Sequence, residues 1–238
     1  EISVRIPGLP AVWEDQRIVQ LSDVHLGHIY RDGFLQGVVA QANEAEPAMV
    51  VITGDLFDGM DGRLENLVSP LSDLRSEHGT FFVTGNHETY LGVEAVEKLL
   101  AEVGVTVLDD EVADVAGLAL VGLSYPERGQ KKDIASLLRS LSPDFSGRPN
   151  ILLFHSPTSI DLFRSAGINL QLSGHTHLGQ LFPFNFLPHR IFKGYDDGLS
   201  EEAGGYSIYT TNGVGTWGPA MRIGNIPEIV VITLRGDN

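Results

Sequence analysis

Short apolar runs rich in β-branched residues alternate along the chain with stretches whose apolar residues recur at helical spacing. The runs predict strands over residues 17–21, 49–53, 80–84, 105–108, 118–123, 151–154, 170–173, 206–211 and 228–234. The periodic stretches predict helices over residues 33–43, 64–76, 93–103, 133–141 and 159–166. This alternation is typical of a layered α/β fold, and without a repeat or linker-like break it predicts one domain over residues 1–238.

Residues 179–205 break this pattern, because they are rich in Phe, Pro and Gly and show no clean period. We expect a long functional or capping loop there. Its phenylalanines are Phe182, Phe184, Phe186 and Phe192. Since aromatic side chains are usually buried, we expect them to form a small local core; the alternative is an apolar surface for a substrate or a membrane. Packing is likewise expected for Trp13 and Trp217, with stacking on a base or sugar as the alternative.

The chain of 238 residues has 42% hydrophobic and 20% charged residues, which is the profile of an ordinary globular protein. No apolar run reaches the roughly 18 to 20 residues that cross a bilayer, and no signal-peptide pattern is visible. The chain begins at Glu1 and not at Met, so we expect a processed product that has lost any upstream targeting or anchoring segment.

The formal net charge of -15 argues against a protein that holds nucleic acid or anionic lipid through a basic surface. A phosphate ester substrate would then need a local source of attraction, and bound metal ions are such a source. The chain has no cysteine, which excludes disulfides, thiolate zinc sites and cysteine nucleophiles.

Five of the predicted strands are followed directly by polar residues of metal-binding types. These sequences are Ser22-Asp23-Val24-His25, Gly54-Asp55-Leu56-Phe57-Asp58, Gly85-Asn86-His87-Glu88, His155-Ser156-Pro157 and Gly174-His175-Thr176-His177. Any one of them could be structural, and a lone histidine such as His155 usually is. Ligands of open α/β sheets bind beyond the carboxyl ends of the strands, however, so we expect these side chains to converge.

The types of donor atom narrow the choice of metal. Carboxylate, imidazole and amide donors without thiolate suit Mn, Fe, Zn, Co or Ni, and manganese is our first expectation. So many imidazoles do not suit a Ca or Mg site built from oxygen ligands. The donors also outnumber those that one tetrahedral ion needs, so a pair of divalent ions bridged by a shared carboxylate is the natural arrangement.

Taken together and in this order, the motifs resemble those of the calcineurin-like metallophosphoesterase family over nearly the whole chain. The resemblance implies a four-layer α/β/β/α sandwich of two mixed sheets flanked by helices. It places two metal ions between the carboxyl ends of the sheets. It further implies direct hydrolysis of a phosphoric ester by hydroxide from metal-bound water, without a covalent enzyme intermediate.

The resemblance also assigns roles to individual residues. The implied metal ligands are Asp23, His25 and His177 for the first ion, Asn86, His155 and His175 for the second, and Asp55 as the bridge. His87 would stabilise the phosphoryl oxygens or protonate the leaving group, and Asn86 would share in substrate binding. Asp58 would orient His87 or a metal ligand, and Glu88 would be structural. Separately, Arg222 is a candidate phosphate clamp, with a turn-stabilising or surface arginine as the alternative.

The C-terminal half resembles one subgroup of the family, through residues 174–180, 211–215 and 219–222. That subgroup contains bacterial proteins that often follow a transmembrane or export segment. Some hydrolyse the pyrophosphate of UDP-diacylglucosamine, and others act on phospholipids or general phosphodiesters. Leu178 stands where its members more often have Gly.

We therefore expect a phosphodiesterase or pyrophosphohydrolase for a small phospholipid-like or nucleotide-linked substrate. The alternatives are a phosphomonoesterase or protein phosphatase with the same metals, and a non-catalytic scaffold, which the retained ligands and His87 disfavour. The acidic composition also disfavours nucleic acid as a partner. We expect a monomer that is membrane-associated in a bacterium through the absent N-terminal segment, or is otherwise cytoplasmic.

Overall fold

The strands of the protein form two mixed sheets of six strands each within residues 1–59 and 64–237, which the computed structural model describes. They are β1 (Ile2–Arg5), β2 (Arg17–Leu21), β3 (Met49–Ile52), β4 (Thr80–Phe82), β5 (Val105–Val107), β6 (Glu111–Val115), β7 (Leu118–Leu123), β8 (Asn150–Phe154), β9 (Leu170–Ser173), β10 (Gly198–Glu202), β11 (Tyr206–Thr210) and β12 (Val230–Arg235). The first sheet has the order β1-β12-β2-β3-β4-β5, and the second has the order β10-β11-β9-β8-β7-β6.

The helices of the described residues lie between these strands in the sequence. They are α1 (Asp32–Glu44), α2 (Glu65–Val68), α3 (Glu88–Leu91), α4 (Val93–Glu102), α5 (Ile134–Phe145), α6 (Ile160–Ser165) and α7 (Phe186–Ile191), with short 3-10 turns at Ala11–Trp13, Ser69–Asp73 and His177–Gly179. None of them is long and apolar enough to cross a bilayer, within the ranges that the structure describes.

Three apolar cores separate the layers. Because side chains alternate between the faces of a strand, Ile18 of β2 packs between the sheets, while Val19 faces the helices of the first sheet. The core between the first sheet and its helices includes residues of α1 and α4. The core between the second sheet and its helices includes Leu138 of α5 and Phe163 of α6. Burying both faces of each sheet in this way produces the α/β/β/α order of layers, and the predicted fold class of two mixed sheets flanked by helices is confirmed.

The strand predictions succeed where a strand is buried on both faces. All nine predicted strands are present, with ends that differ by two residues at most. The strands missed are β1, β6 and β10, and each lies at an edge of its sheet. These three strands are partly exposed and interrupted by polar residues, so they lack the apolar run that marks a central strand.

Helix predictions are less accurate. The helix predicted over 64–76 is wrong in extent, because α2 ends at Val68 and a 3-10 turn containing Pro70, which has no backbone N–H, follows it. The helix predicted over 133–141 continues through Pro143 to the end of α5. Two short helices, α3 and α7, were missed because four to six residues are too few to show a period.

The stretch 179–205 departs from its predicted packing. The local phenylalanine core is wrong, since Phe182, Phe184 and Phe186 are 55 to 63% exposed and Phe192 is half-buried. Trp13 packs in the core between the sheets, as predicted, whereas the packing predicted for Trp217 is wrong because it is 59% exposed.

The topology brings the predicted site residues to one edge of the sandwich. Strands β2, β3 and β4 are parallel neighbours in the first sheet, and β8 and β9 are parallel neighbours in the second. Their carboxyl ends are joined across the interface by Gln20, whose amide donates to the Thr53 hydroxyl and to the Ser173 carbonyl, both at 3.0 Å. The loops that follow these five strands therefore face one another.

Candidate metal centre

A first cluster of donor atoms comes from the loops after β2 and β9. The Nε2 atoms of His25 and His177 lie 3.0 Å apart. The Oδ1 atom of Asp23 lies 3.3 Å from Nε2 of His177 and 3.9 Å from Nε2 of His25. Ligands bound to one ion at about 2.0–2.2 Å are separated by about 3 Å, so the three atoms have the spacing of a shared coordination shell. These are the three residues predicted for the first ion.

A second cluster comes from the loops after β3, β8 and β9. Nε2 of His155 lies 3.1 Å from Oδ2 of Asp55 and 3.2 Å from Nδ1 of His175. Asp55, predicted as the bridge, thus lies beside the two histidines predicted for the second ion. Its bridging role stays a prediction.

The side-chain oxygen of Asn86 supports metal binding independently of the clusters. This Oδ1 atom is buried and has no hydrogen-bond partner among the described residues. A buried carbonyl oxygen left without a partner costs about 1–3 kcal/mol. Asn86 follows β4, next to the strand that carries Asp55, and its orphan oxygen fits the ligand role predicted for it. The donor set as a whole fits divalent first-row ions.

Five of the seven predicted ligands have a left-handed backbone. They are Asp23, His25, Asp55, His175 and His177, with φ between 48° and 73°. This region is sparsely populated by residues other than glycine, and each occurrence costs about 1–3 kcal/mol. The turn is what redirects each side chain towards the neighbouring sheet directly after its strand. Backbone strain is therefore concentrated where the donors converge.

Two glycines allow the carboxylates to approach the backbone closely. A Cβ atom at Gly85 would overlap the Asp55 carboxylate, and one at Gly174 would overlap the Asp23 carboxylate and the Ser22 hydroxyl. Any side chain at either position would displace a predicted ligand. Steric overlap thus explains why these two positions of the motifs are occupied by glycine, which the sequence alone did not show.

Glu88 holds the loops after β3 and β4 together. Its fully buried carboxyl accepts hydrogen bonds from the backbone N–H groups of Asp55 (3.0 Å), Phe57 (3.2 Å) and Gly85 (2.7 Å). Burial and the neighbouring Asp55 raise the pKa of Glu88 to about 7. The residue occupies the structural position expected of it, one layer behind the donor atoms.

Hydrogen bonds also fix the orientation of the ligands themselves. Nδ1 of His155 lies 2.7 Å from the Thr53 carbonyl and must donate to it, which leaves Nε2 free to face Asp55. Asp23 accepts a hydrogen bond from the Ser22 hydroxyl at Oδ2 (2.6 Å), and the His175 backbone N–H is shared between Oδ2 (3.0 Å) and Oδ1 (3.2 Å), the oxygen that faces the cluster. Each ligand thus turns a defined lone pair towards its cluster.

The protonation of the histidines follows from burial and charge. Burial lowers the pKa of His25 to about 3 and that of His175 to about 4, so both imidazoles are neutral. Burial acts in the same direction on His155, but the adjacent Asp55 carboxylate outweighs it and raises its pKa to about 10. An ion that binds here must therefore displace a proton from His155.

His87 lies between the two clusters. Its Nδ1 is 2.9 Å from the backbone carbonyl of Asp58, and its Nε2 is 3.9 Å from Oδ2 of Asp55. The ring packs edge-on against His25, with centroids 4.7 Å apart. Asp58 thus orients His87 through its main chain, whereas its carboxylate lies 3.9 Å from Nδ1 of His25. His25, Asp58 and His87 could also hold an ion by their spacing alone, an arrangement that the sequence did not suggest.

Arg222 is engaged in holding a loop. Its guanidinium donates to the carbonyls of Asn212 (2.7 Å) and Gly215 (3.1 Å) and to Oδ1 of Asn225 (3.2 Å). One nitrogen also lies 3.4 Å from Nδ1 of His177. This is the geometry of the turn-stabilising alternative, and it supports His177 from behind.

Three residues at the edge of the centre were missed by the sequence analysis. The rings of Tyr125 and Phe192 pack against His175, each with a centroid distance of 5.9 Å, and Asn225 donates to the His177 carbonyl at 2.8 Å. Tyr125 comes two residues after β7, but none of the three belongs to a cluster of metal-binding residue types, so the signal that identified the ligands could not find them.

Sequence comparisons agree with the geometry. A family model described as calcineurin-like phosphoesterase matches residues 16–179. An uncharacterized metallophosphoesterase from Campylobacter jejuni is 36% identical over 245 residues, which cover 99% of this chain and 62% of the relative. A transmembrane protein with metallophosphoesterase domain from Danio rerio is 34% identical over 253 residues, which cover 99% of this chain and 56% of the relative. The chain thus spans about three fifths of the length of these relatives.

A comparison of folds gives the same result. A dimetal phosphatase from Danio rerio superimposes with a TM-score of 0.58 and 14% identity, covering 84% of this chain and 88% of that one. A putative 5'-nucleotidase from Staphylococcus aureus superimposes with a TM-score of 0.52 and 13% identity, covering 83% of this chain and 49% of that one. At such low identity these similarities establish the shared fold.

The metal-free protein should gain stability from divalent ions. Addition of Mn²⁺ to chelator-stripped protein should raise the melting temperature, since an ion at about 100 times its Kd contributes about 2.7 kcal/mol. The gain should shrink in Asn86→Ala and as the pH falls, because protons compete for His155. Differential scanning fluorimetry measures both effects. The control is Asn66→Ala, which removes the same amide from the exposed surface of α2. An equal gain in both variants would contradict the ligand role of Asn86.

Glu88→Gln should weaken the centre without touching a donor atom. The amide cannot accept from three N–H groups as the carboxyl does, so the loops after β3 and β4 should loosen. We expect Mn²⁺ affinity to fall about tenfold or more, measured by isothermal titration calorimetry. Glu94→Gln makes the same change on the exposed surface of α4 and should have no effect. Unchanged affinity in Glu88→Gln would show that the loops hold their shape without it.

Proposed function

The chain belongs to the calcineurin-like phosphoesterase family, and from that premise we propose that it hydrolyses phosphoric esters with two divalent metal ions. The observation that carries the proposal is the pair of donor clusters at one sheet edge, with His87 between them. The three ligands predicted for the first ion lie together, and so do Asp55, His155 and His175. A scaffold that had lost catalysis would have no reason to keep His87.

Two bound cations would withdraw charge from the phosphoryl group, which makes the phosphorus a better electrophile. They would also lower the pKa of water and so supply the hydroxide nucleophile. The chain supplies the rest. The main-chain carbonyl of Asp58 accepts a hydrogen bond from Nδ1 of His87, which fixes the ring. A protonated Nε2 can then donate to a phosphoryl oxygen or to the leaving group. No side chain is needed as a covalent nucleophile, and the cysteine-free chain offers no thiol.

A diester or a pyrophosphate is the substrate class that the surroundings favour. A cavity of about 600 Å³ is lined in part by Phe192, whose ring packs against His175 of the second cluster. Apolar residues such as Ile160, Leu162 and Ile191 line it together with polar ones. A phosphomonoester has one organic group, whereas a diester has a second that such a cavity can hold.

The lipid-linked subgroup fits the same reasoning. Resemblance to enzymes that hydrolyse the pyrophosphate of UDP-diacylglucosamine suggests a substrate with an acyl or nucleoside portion. The Danio rerio relative is named as a transmembrane protein with metallophosphoesterase domain, which suggests a membrane setting for this chain too. Manganese is the first candidate for the ions, with Fe, Zn, Co and Ni as alternatives.

Activity should be metal-dependent and should favour diesters. We expect chelator-stripped protein to be inactive on bis-p-nitrophenyl phosphate and p-nitrophenyl phosphate, and Mn²⁺ to restore cleavage of the diester above the monoester. The same assay with Zn²⁺, Co²⁺, Ni²⁺ and Mg²⁺ ranks the metals. Preference for the monoester would replace the diesterase with a phosphatase. No turnover with any ion would contradict the proposal.

His87→Ala should retain the ions and lose activity. Its Nε2 lies 3.9 Å from Oδ2 of Asp55, and the two clusters that contain the predicted ligands do not include it. We expect the rate constant kcat to fall about 100-fold or more, with metal content unchanged by elemental analysis. His78→Ala removes the same ring before β4, at the opposite end of the strand, where it packs on Trp13, and should keep its activity. Loss of metal from His87→Ala would instead make His87 a ligand.

A further inference from the structure

Exposed apolar side chains are concentrated on one surface beside the metal centre. We define this surface, the apolar rim, as residues 181–194 and 217–227. It is about a tenth of the chain, yet it holds nine of the twelve exposed large hydrophobic residues among the described ones. They include Phe182, Phe184, Phe186, Trp217, Ile223 and Ile226, which are 47 to 75% exposed. A soluble surface rarely presents so many apolar side chains together without a partner.

The two segments of the rim form one surface. The Phe182 N–H donates to the Ile223 carbonyl at 2.7 Å. The Gln180 side chain donates to the Trp217 carbonyl at 2.8 Å and accepts from its N–H at 2.7 Å. These bonds satisfy the backbone, so the apolar side chains are held outward by an ordered loop structure. Their exposure is built into the fold.

The rim has a charge opposite to that of the molecule. The chain contains 31 acidic residues and has a net charge of -15, but neither segment of the rim contains Asp or Glu. The rim does contain Arg190, Lys193 and Arg222. Arg190 and Lys193 are exposed, one within α7 and one directly after it. The overall charge, which argued against anionic partners, therefore does not describe this surface.

We infer that the apolar rim docks on an anionic phospholipid surface. Aromatic and aliphatic side chains that protrude beside Arg and Lys are the composition of segments that lie in a membrane interface, where rings enter the acyl boundary and cations meet lipid phosphates. A second copy of this chain would have to bury the cations of two rims against each other. The absence of carboxylates from the rim favours the lipid.

Docking of the rim would bring the metal centre to the membrane surface. Asn225 within the rim donates to the His177 carbonyl at 2.8 Å, and Phe192 packs on His175. The rim and the metal centre are therefore continuous, and the cavity beside the second cluster shares Ile191 with the rim. The docking surface itself requires neither metal nor catalysis, so it stands independently of the proposed activity.

Vesicle sedimentation tests the surface, with metal-free protein and vesicles of phosphatidylcholine alone or mixed with phosphatidylglycerol. We expect binding to the mixed vesicles and weaker binding to phosphatidylcholine. Phe184→Ser with Phe186→Ser should reduce binding about tenfold or more, because two exposed rings are lost. Arg190→Glu with Lys193→Glu should remove the preference for the anionic lipid. Val12→Ser with Ile29→Ser, which changes two exposed apolar residues outside the rim, should bind as the parent does.

Trp217 reports insertion directly, because the other tryptophan of the chain, Trp13, is buried in the core. Phospholipids brominated on their acyl chains should quench the fluorescence of Trp217, and Trp217→Phe should abolish the quenching. Sedimentation without quenching, or equal loss of binding in the control pair, would overturn the proposal. So would a rim-dependent dimer in analytical ultracentrifugation without vesicle binding, which would assign the surface to a second copy. Vesicle binding by protein inactive on every ester would refute the proposed function and leave this inference standing.

Discussion

The structure depends on the requirement that donor atoms from two separate sheets meet at one edge of the sandwich. Parallel strands deliver their carboxyl ends to the same edge, but in a continued strand the side chains would only alternate between the two faces of its own sheet. The left-handed turns at Asp23, Asp55 and His175 provide the change of direction, and they cost conformational energy. Gly85 and Gly174 leave the space into which the carboxylates fold. Glu88, Gln20 and Arg222 supply hydrogen bonds that hold the strained loops in place.

Much of this arrangement can be predicted from the sequence, because its strongest signals are local. An apolar run followed by Asp, Asn or His defines both a central strand and the residue at its carboxyl end, so six of the seven predicted ligands can be found in two clusters of donor atoms. The edge strands lack such a run, as β10 illustrates with its Gly-Leu-Ser-Glu-Glu sequence. Phe192 and Arg222 reach the centre only through tertiary packing. A single sequence contains no local mark of such contacts.

The phenylalanines of residues 181–194 show a different limit of prediction. Burial of aromatic residues is a statistical tendency that assumes a soluble surface made for water. The hydrophobic effect also drives the apolar side chains of a surface segment into a lipid phase, so the sequence of such a segment resembles that of a buried core. The sign of charge separates the two cases here. A buried mini-core has no reason to exclude carboxylates from the loops around it, whereas a surface that meets lipid phosphates does.

Strain and apolar exposure both lower the stability of the free protein, and they lie next to each other. A bound cation would satisfy the orphan oxygen of Asn86 and the lone pairs that converge in the two clusters. The exposed rings of the rim are relieved by an apolar phase. Asn225 and Phe192 join the two features, so backbone strain and apolar exposure lie at the same end of the sandwich. Left-handed turns, an unpartnered buried oxygen and exposed apolar side chains all disfavour folding, and their clustering at one end indicates that this end is selected for binding.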